Sequence, residues 1–159
     1  MHPKERPHRL SSEAYVGEVS MAVTCAIAGR SPVFTNREVV EAILERLTQA
    51  CEKEAAEIVL YCFMPDHLHA IVRGRERNSN LLNFMKRFKQ SSGFWLSQNL
   101  SVRWSGDYYD HVIRNSSDFS EHCQYILGNP VRAGIAEHMF AYPFTGSMLA
   151  SIEELAQSL

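Results

Sequence analysis

The spacing of hydrophobic positions in the first half of the chain predicts a strand, a helix and then a hairpin. Val, Ala, Thr and Tyr dominate residues 15–27, with polar residues interleaved, which is typical of a strand. Asn36 is a good N-cap, and apolar residues then recur at helical spacing to about Lys53. Two short apolar runs follow at residues 58–64 and 67–72. Only a Pro-Asp turn separates them, so a pair of adjacent strands is predicted.

The second half predicts a long helix, a strand and a short helix. A helix over residues 78–99 would place large side chains on one broad face, namely Leu81, Leu82, Met85, Phe88, Phe94 and Trp95. Residues 104–113 indicate a fourth strand, rich in aromatic and β-branched residues. A short helix should begin near Asp118 and run through Leu127, where Gly128-Asn129-Pro130 is expected to stop it.

The order of these elements is β-α-β-β-α-β followed by a helix. This order predicts an α+β fold of the ferredoxin-like type, with an antiparallel sheet, two helices on one face and an additional helix that carries Tyr125. We expect one domain over residues 15–145. Residues 1–14 hold Pro3 and Pro7 without periodicity and should form a flexible arm, and residues 146–159 should form a helical tail.

Composition narrows the class of protein. The 159 residues fit a single domain, and 45% hydrophobic with 21% charged residues is ordinary globular composition. No apolar run approaches the roughly 20 residues of a membrane span, and the first residues lack the apolar segment of a secretory signal. The four cysteines lie far apart and form no Cys-x-x-Cys motif, which favours reduced thiols. We therefore expect a cytoplasmic protein without a membrane partner.

Charge is distributed unevenly, although the formal net charge is only −2. Residues 73–114 hold eight basic and three acidic residues, as a phosphate-binding face would need. Solvated helices and loops also carry such clusters, so charge alone leaves both interpretations open. The candidate phosphate contacts are Arg73, Lys86, Arg87, Lys89 and Arg114. The aromatic residues Trp95, Trp104, Tyr108 and Tyr109 are candidates for base stacking or for core packing.

The motif with the clearest chemistry is His67-Leu68-His69. Residues two apart on a strand point to the same side, so both imidazoles should leave one face of the sheet together while Leu68 enters the core. Two converging imidazoles can bind a divalent metal ion and leave positions open for substrate. Two surface histidines on an exposed face are the alternative.

A second motif lies at the end of the last predicted helix. Tyr125 and Asn129 are four residues apart, so their side chains share a face. Each is a common structural residue by itself, but together they could place a phenolic nucleophile beside an amide metal ligand. His122 is three residues before Tyr125 and could approach the phenol, whereas His111 is interpreted as structural or close to DNA.

Three blocks of this sequence resemble the IS200-like single-tyrosine transposases, and most closely their REP-associated branch. The blocks are residues 63–72, residues 104–114 and residues 125–134. The resemblance implies that His67 and His69 bind Mg²⁺ or Mn²⁺, that Asn129 is the third ligand and that Tyr125 is the nucleophile. It also implies cutting and rejoining of single-stranded, hairpin-bearing DNA through a 5′-phosphotyrosine, by a monomer or a homodimer. Asp66 departs from the Asn that is common in relatives.

Two other functions remain open from the sequence. A divalent-metal phosphodiesterase would keep the histidine pair but use water as the nucleophile, with Tyr125 only packing. A catalytically silent module could bind single-stranded nucleic acid on a ferredoxin-like sheet. The histidine pair argues against the silent module, because a sheet that stacks bases carries aromatic residues there.

Overall fold

The computed structural model describes residues 9–159, which form one sheet with helices on both faces. The elements of the described chain, in order, are β1 Ser20–Ala26, α1 Arg37–Glu54, β2 Ala56–Met64, β3 His67–Gly74, α2 Leu81–Leu100, β4 Tyr109–Val112, α3 Ser116–Arg132, β5 Thr145–Gly146 and α4 Ile152–Gln157. In this part of the chain, no helix is both long enough and apolar enough to cross a membrane.

The sheet is antiparallel, with the strand order β4-β1-β3-β2-β5. Its first four strands have the ferredoxin-like arrangement, so the predicted fold is confirmed. The short fifth strand at the edge of β2 was not predicted, because two residues are too few to give a hydrophobic pattern. The pairing of β1 with β3 sets Thr24 directly opposite His69, which matters for the site.

Alternating residues of the strands pack into two separate cores. Leu68, Ala70 and Val72 of β3 face the core under α1 and α2. Ile71 faces the opposite core, where it packs with residues of α3 that include Ile126. Because side chains alternate along a strand, His67 and His69 share the face of Ile71 and lie on the α3 side.

The ends of two predicted strands differ from the structure. β1 begins at Ser20, because residues 12–15 form a 3₁₀ turn and Gly17 adopts a positive φ of 99° that bends the chain before the strand. β4 covers only Tyr109–Val112, and Trp104 makes a single bridge to Ile27.

The prediction that Phe94 lies on the apolar face of α2 is wrong. Phe94 is 67% exposed, whereas Leu81, Met85 and Phe88 are buried as expected. Phe94 follows the buried Ser92 by two positions, and residues two apart on a helix point to different sides.

The last predicted helix is also longer than expected. α3 runs through Gly128 and Pro130 to Arg132, so the expected stop at Gly128-Asn129-Pro130 is wrong. The true stop is Gly134, whose φ is 77°. The Gly134 N–H donates to the Val131 carbonyl at 3.0 Å, and the Ile135 N–H donates to the Pro130 carbonyl at 3.0 Å, which is the Schellman pattern. Tyr125 therefore lies well inside the helix rather than in its final turn.

The end of the predicted N-terminal arm is held against the sheet. Residues 1–8 lie outside the described chain. The Arg9 Nε donates to Asp110 Oδ1 at 2.9 Å, and the Leu10 N–H donates to the Tyr15 hydroxyl at 3.2 Å. The Tyr15 hydroxyl in turn donates to Asp110 Oδ2 at 2.6 Å, so this segment is fastened to β4.

Candidate active site

The histidine pair lies on β3 beneath α3. His69 is only 9% exposed, and the His67 side chain is 16% exposed. The pair therefore does not lie on an exposed face, because α3 covers that side of the sheet. The site is a covered junction between strand and helix rather than a flat surface.

A hydrogen bond fixes the tautomer of His67, and a second hydrogen bond orients the ring of His69. His67 Nδ1 lies 2.7 Å from Asp66 Oδ1, and His69 Nδ1 lies 2.9 Å from Thr24 Oγ1. The carboxylate accepts only, so His67 carries its proton on Nδ1, whereas the Thr24 hydroxyl can either accept from or donate to His69 Nδ1. The two Nε2 atoms face each other at 3.2 Å, so the lone pair of His67 Nε2 points at His69 Nε2.

Asp66 is itself anchored as an anion. Its Oδ2 lies 3.0 Å from Arg30 Nε. Partial burial raises the pKa of Asp66, but the hydrogen bond from His67 and the charge of Arg30 outweigh it, so the net pKa is lowered. A fixed carboxylate behind an imidazole is the arrangement that orients metal-ligating histidines.

The spacing and protonation of the pair fit a divalent cation. Adjacent ligands on an octahedral ion with bonds near 2.1 Å are separated by about 3.0 Å, close to the spacing of the two Nε2 atoms. Burial, the neighbouring His67 and the charge of Arg132 lower the pKa of His69 to about 4. His69 is therefore neutral at pH 7, and its lone pair is available to a metal ion.

Tyr125 lies beside this pair because of the packing of α3. Ile126 and Leu127 are buried against the sheet and fix the rotation of the helix. The Tyr125 ring then stands perpendicular to the His69 ring, with 6.0 Å between the centroids, and remains 56% exposed. Asn129 follows one turn later, with its Oδ1 3.4 Å from Arg132 Nη2.

A cleft of about 620 Å³ opens beside Tyr125, between the sheet and α3. It is lined by Ala22, Val23, Thr24, His69, Tyr109, Glu121, His122, Tyr125 and Ile126. Tyr109 is 43% exposed there, so it is the predicted stacking residue that reaches the site.

The other predicted stacking residues lie elsewhere. Trp104 is buried in the core and donates from its indole nitrogen to Ser92 Oγ at 2.8 Å, so it is a packing residue. Trp95 is half-buried, with the Arg46 guanidinium 5.9 Å from its ring centroid. Tyr108 is half-buried beneath Arg9 and Lys89.

The structure does not bring the predicted basic residues together at the site. Lys86, Arg87 and Lys89 belong to α2, which covers the opposite face of the sheet. Arg87 pairs with Glu54 at 3.1 Å, and the Lys89 amine donates to the Ser105 carbonyl at 3.1 Å.

The two remaining basic candidates also have acidic partners. Arg73 lies on β3 and pairs with Glu57 at 2.7 Å. Arg114 lies just before α3 and contacts Asp118 at 3.4 Å. Both therefore carry charge that is already partly compensated.

A second polar cluster was not predicted from the sequence. His111 Nε2 lies 2.8 Å from Asp118 Oδ2, His122 Nδ1 lies 3.2 Å from Asp118 Oδ1, and the two imidazole rings stack at 4.5 Å. The three ligand atoms lie within 4.8 Å of one another, close enough to hold a metal ion. The spacing of Asp118 and His122 was a signal for one half of the cluster, but the register of β4 supplies the other half.

Sequence reasoning also missed Thr24 and Arg132. Thr24 had no signal, because its position opposite His69 depends on the pairing of two strands that are distant in the chain. Arg132 is seven residues after Tyr125, a helical spacing that places both on one face. A prediction of continuous helix through Pro130 would have revealed it.

Comparisons with known proteins identify a family and several relatives of this chain. The family described as "Transposase IS200 like" matches residues 16–129. A Haemophilus influenzae protein provisionally named REP-associated tyrosine transposase is 26% identical over 109 residues, which cover 61% of this chain and 62% of that protein. The REP-associated tyrosine transposase of Escherichia coli is 28% identical over 89 residues, which cover 56% of this chain and 53% of that protein. The matched region thus spans less than two thirds of either relative.

The fold has a solved counterpart. A REP-associated tyrosine transposase bound to a REP hairpin superposes with a TM-score of 0.73, covering 86% of this chain and 79% of that chain at 21% identity. The likeness shows a shared fold. Because the family match covers most of the chain, including both histidines and Tyr125, this protein belongs to the IS200-like transposase family.

Proposed function

We propose that this protein is a metal-dependent endonuclease of the transposase type that cuts and rejoins single-stranded DNA through a 5′-phosphotyrosine. Tyr125 is the nucleophile, and His67, His69 and Asn129 hold Mg²⁺ or Mn²⁺. The observation that carries the proposal is the convergence of the two Nε2 atoms at 3.2 Å next to the Tyr125 ring. Imidazole nitrogens suit Mn²⁺ better than Mg²⁺, so Mn²⁺ should bind more tightly.

The proposed reaction exchanges one phosphodiester for another. The Tyr125 oxygen forms a bond to phosphorus as its proton passes to water, which reaches the half-exposed ring. The bond from phosphorus to the 3′ oxygen breaks, and that oxygen keeps the electron pair and gains a proton. A bound divalent ion would polarise the scissile phosphate and stabilise the charge that develops on it. Rejoining reverses these steps when a 3′ hydroxyl attacks the phosphotyrosine.

The proposed substrate is single-stranded DNA that bears a hairpin. The cleft beside Tyr125 lies between the sheet and α3, and an unpaired, bendable strand can reach it more easily than a regular duplex. Tyr109 offers an exposed ring in that cleft for stacking on a base. The solved transposase with the shared fold is bound to a REP hairpin, which supports a hairpin as the probe.

The test is covalent trapping with Tyr125→Phe, which removes only the phenol oxygen. Wild-type protein should form a protease-sensitive adduct with a hairpin-bearing single strand in Mn²⁺, seen on a denaturing gel. Tyr125→Phe should form neither adduct nor cleaved product while binding DNA normally. Tyr109→Phe is the matched control, because it removes a hydroxyl from the same cleft and should keep the adduct.

Other outcomes identify the alternatives. Cleavage by the wild-type protein without any adduct would favour a phosphodiesterase in which water attacks. Binding without cleavage would favour a silent nucleic-acid-binding module. An adduct that persists in Tyr125→Phe would place the nucleophile elsewhere.

A further inference from the structure

Arg132, in the last turn of α3, folds back along the helix onto Tyr125. Its guanidinium carbon lies 4.2 Å from the centroid of the Tyr125 ring. Its Nη2 donates to the Tyr125 carbonyl and lies 3.4 Å from Asn129 Oδ1. One guanidinium thus contacts both helix residues that the proposed function uses.

Gly128 leaves room for the Arg132 side chain. A Cβ atom at position 128 would lie 2.8 Å from Arg132 Nη1, closer than side-chain atoms tolerate. Glycine is a poor residue for a helix interior, so its presence here needs a reason. With glycine at this position, the Arg132 side chain can lie against the helix without shifting.

The charge of Arg132 has no acidic counterpart in the described chain. Its contacts within residues 9–159 are a backbone carbonyl, an amide oxygen and an aromatic ring. Arg73, Arg87 and Arg114 differ, since each pairs with a carboxylate.

We propose that Arg132 binds the DNA phosphate that Tyr125 attacks. A guanidinium presents several N–H donors in a planar fork that matches two phosphate oxygens, and it stays charged at all working pH values. Stacking on Tyr125 holds both the fork and the phenol in place. The inference rests on the proposed function, in which negative charge grows on that phosphate as the Tyr125 oxygen approaches.

The binding test uses Tyr125→Phe protein, which keeps the ring but should not cut. Fluorescence anisotropy with a hairpin-bearing single strand, measured over a range of salt concentrations, gives affinity and the number of phosphates neutralised. Adding Arg132→Ala should weaken binding about tenfold and reduce the slope of log affinity against log salt by about 0.7, the value for one phosphate on a single strand. Arg103→Ala is the control, an exposed arginine outside the site, and should leave both values unchanged.

The catalytic test measures adduct formation in a single turnover with protein in excess. Arg132→Ala should slow the adduct about 100-fold at saturating DNA, because a charge contact to the transition state is lost. Arg132→Lys should restore part of the rate. Gly128→Ala tests the geometry, because the added methyl displaces the guanidinium while it keeps the charge and favours the helix, and it should also slow the adduct.

The results separate the two proposals. If wild-type protein forms no adduct, the proposed function fails, and the salt slope alone decides whether Arg132 binds a phosphate. If wild-type protein forms the adduct, the proposed role of Arg132 is rejected by either of two results. One is an unchanged salt slope when Arg132→Ala is added to Tyr125→Phe protein, and the other is a wild-type single-turnover rate for Arg132→Ala.

Discussion

Two histidine pairs lie on the same side of the sheet. The first pair is His67 and His69 on β3, and the second is His111 on β4 with His122 on α3. In the first pair, both Nδ1 atoms have partners and the Nε2 atoms face each other at 3.2 Å. In the second pair, the rings stack at 4.5 Å and both face the carboxylate of Asp118, at 2.8 Å and 3.2 Å.

The difference lies in what the imidazoles point at. The Nε2 atoms of the first pair converge, and when both protons are on Nδ1 the two Nε2 lone pairs can be shared by one cation. In the second pair, His111 Nε2 is satisfied by the buried carboxylate of Asp118, and His122 Nδ1 is satisfied by the Asp118 backbone carbonyl at 2.9 Å. The Arg114 N–H, at 2.9 Å, is a further donor to that carboxylate. We infer that the first pair binds metal, whereas the second links β4 to α3. Proximity of ligand atoms alone does not define a metal site.

The largest expected effect follows from removing the first pair. His67→Ala with His69→Ala should lower metal-dependent cleavage by at least about 1000-fold, because the ion supplies several kcal/mol of transition-state stabilisation. The assay is cleavage of a labelled single strand in a Mg²⁺ titration. His111→Ala is the matched control and should cut within a few-fold of wild type. Cleavage by the double variant at the wild-type rate would reject the assignment.

The hydrogen bonds to the Nδ1 atoms of His67 and His69 provide the next test of this comparison. Thr24→Val or Asp66→Ala should weaken Mn²⁺ binding about 10- to 100-fold, because each frees an imidazole to rotate and change tautomer. Isothermal titration with Mn²⁺ measures the change. Arg30→Ala is the control for Asp66, since it removes the ion pair of that carboxylate but leaves its bond to His67. Unchanged Mn²⁺ affinity in both variants would show that Thr24 and Asp66 do not orient the two histidines.

Breaking the second pair should affect stability rather than metal binding. Asp118→Asn should lower the free energy of unfolding by about 2 kcal/mol at pH 7, because the hydrogen bonds from His111 and from the Arg114 N–H then have a neutral acceptor instead of a charged one. Thermal unfolding measures this effect, while the Mn²⁺ affinity should stay near the wild-type value. A large loss of Mn²⁺ binding would instead make this cluster the metal site.

The effect of Asp118→Asn on stability should also depend on pH. The hydrogen bond from His111, followed by that from the Arg114 N–H, holds the pKa of Asp118 well below its usual range. The stabilisation is therefore present above the unfolded-state pKa of about 3.9 and is lost as pH falls below it. The stability difference between wild type and Asp118→Asn should shrink as pH is lowered through that region.

Much of the fold follows from local patterns. The N-cap at Asn36 and the helical spacing after it predicted α1 because capping and periodicity act within one segment. The strand containing His67 and His69 was predicted for the same reason. The prediction ended α3 too early because Gly128 and Gly134 can each end a helix. Only the backbone conformation shows that Gly134, and not Gly128, adopts a positive φ.

The candidate site was predicted less completely than the fold. The facing of His67 and His69 followed from strand alternation, which is local. Their partner Thr24 depends on the register between β1 and β3, and the cover over His69 depends on how α3 docks. The basic residues of α2 were predicted as phosphate contacts, but local charge does not reveal which face of the sheet a helix covers.

Anomalous diffraction from crystals grown with Mn²⁺ tests the central claim most directly. The account predicts one strong peak, within ligand distance of His67 Nε2 and His69 Nε2 and close to Tyr125, with no peak beside Asp118. A peak among His111, Asp118 and His122 with none at the first pair would contradict it.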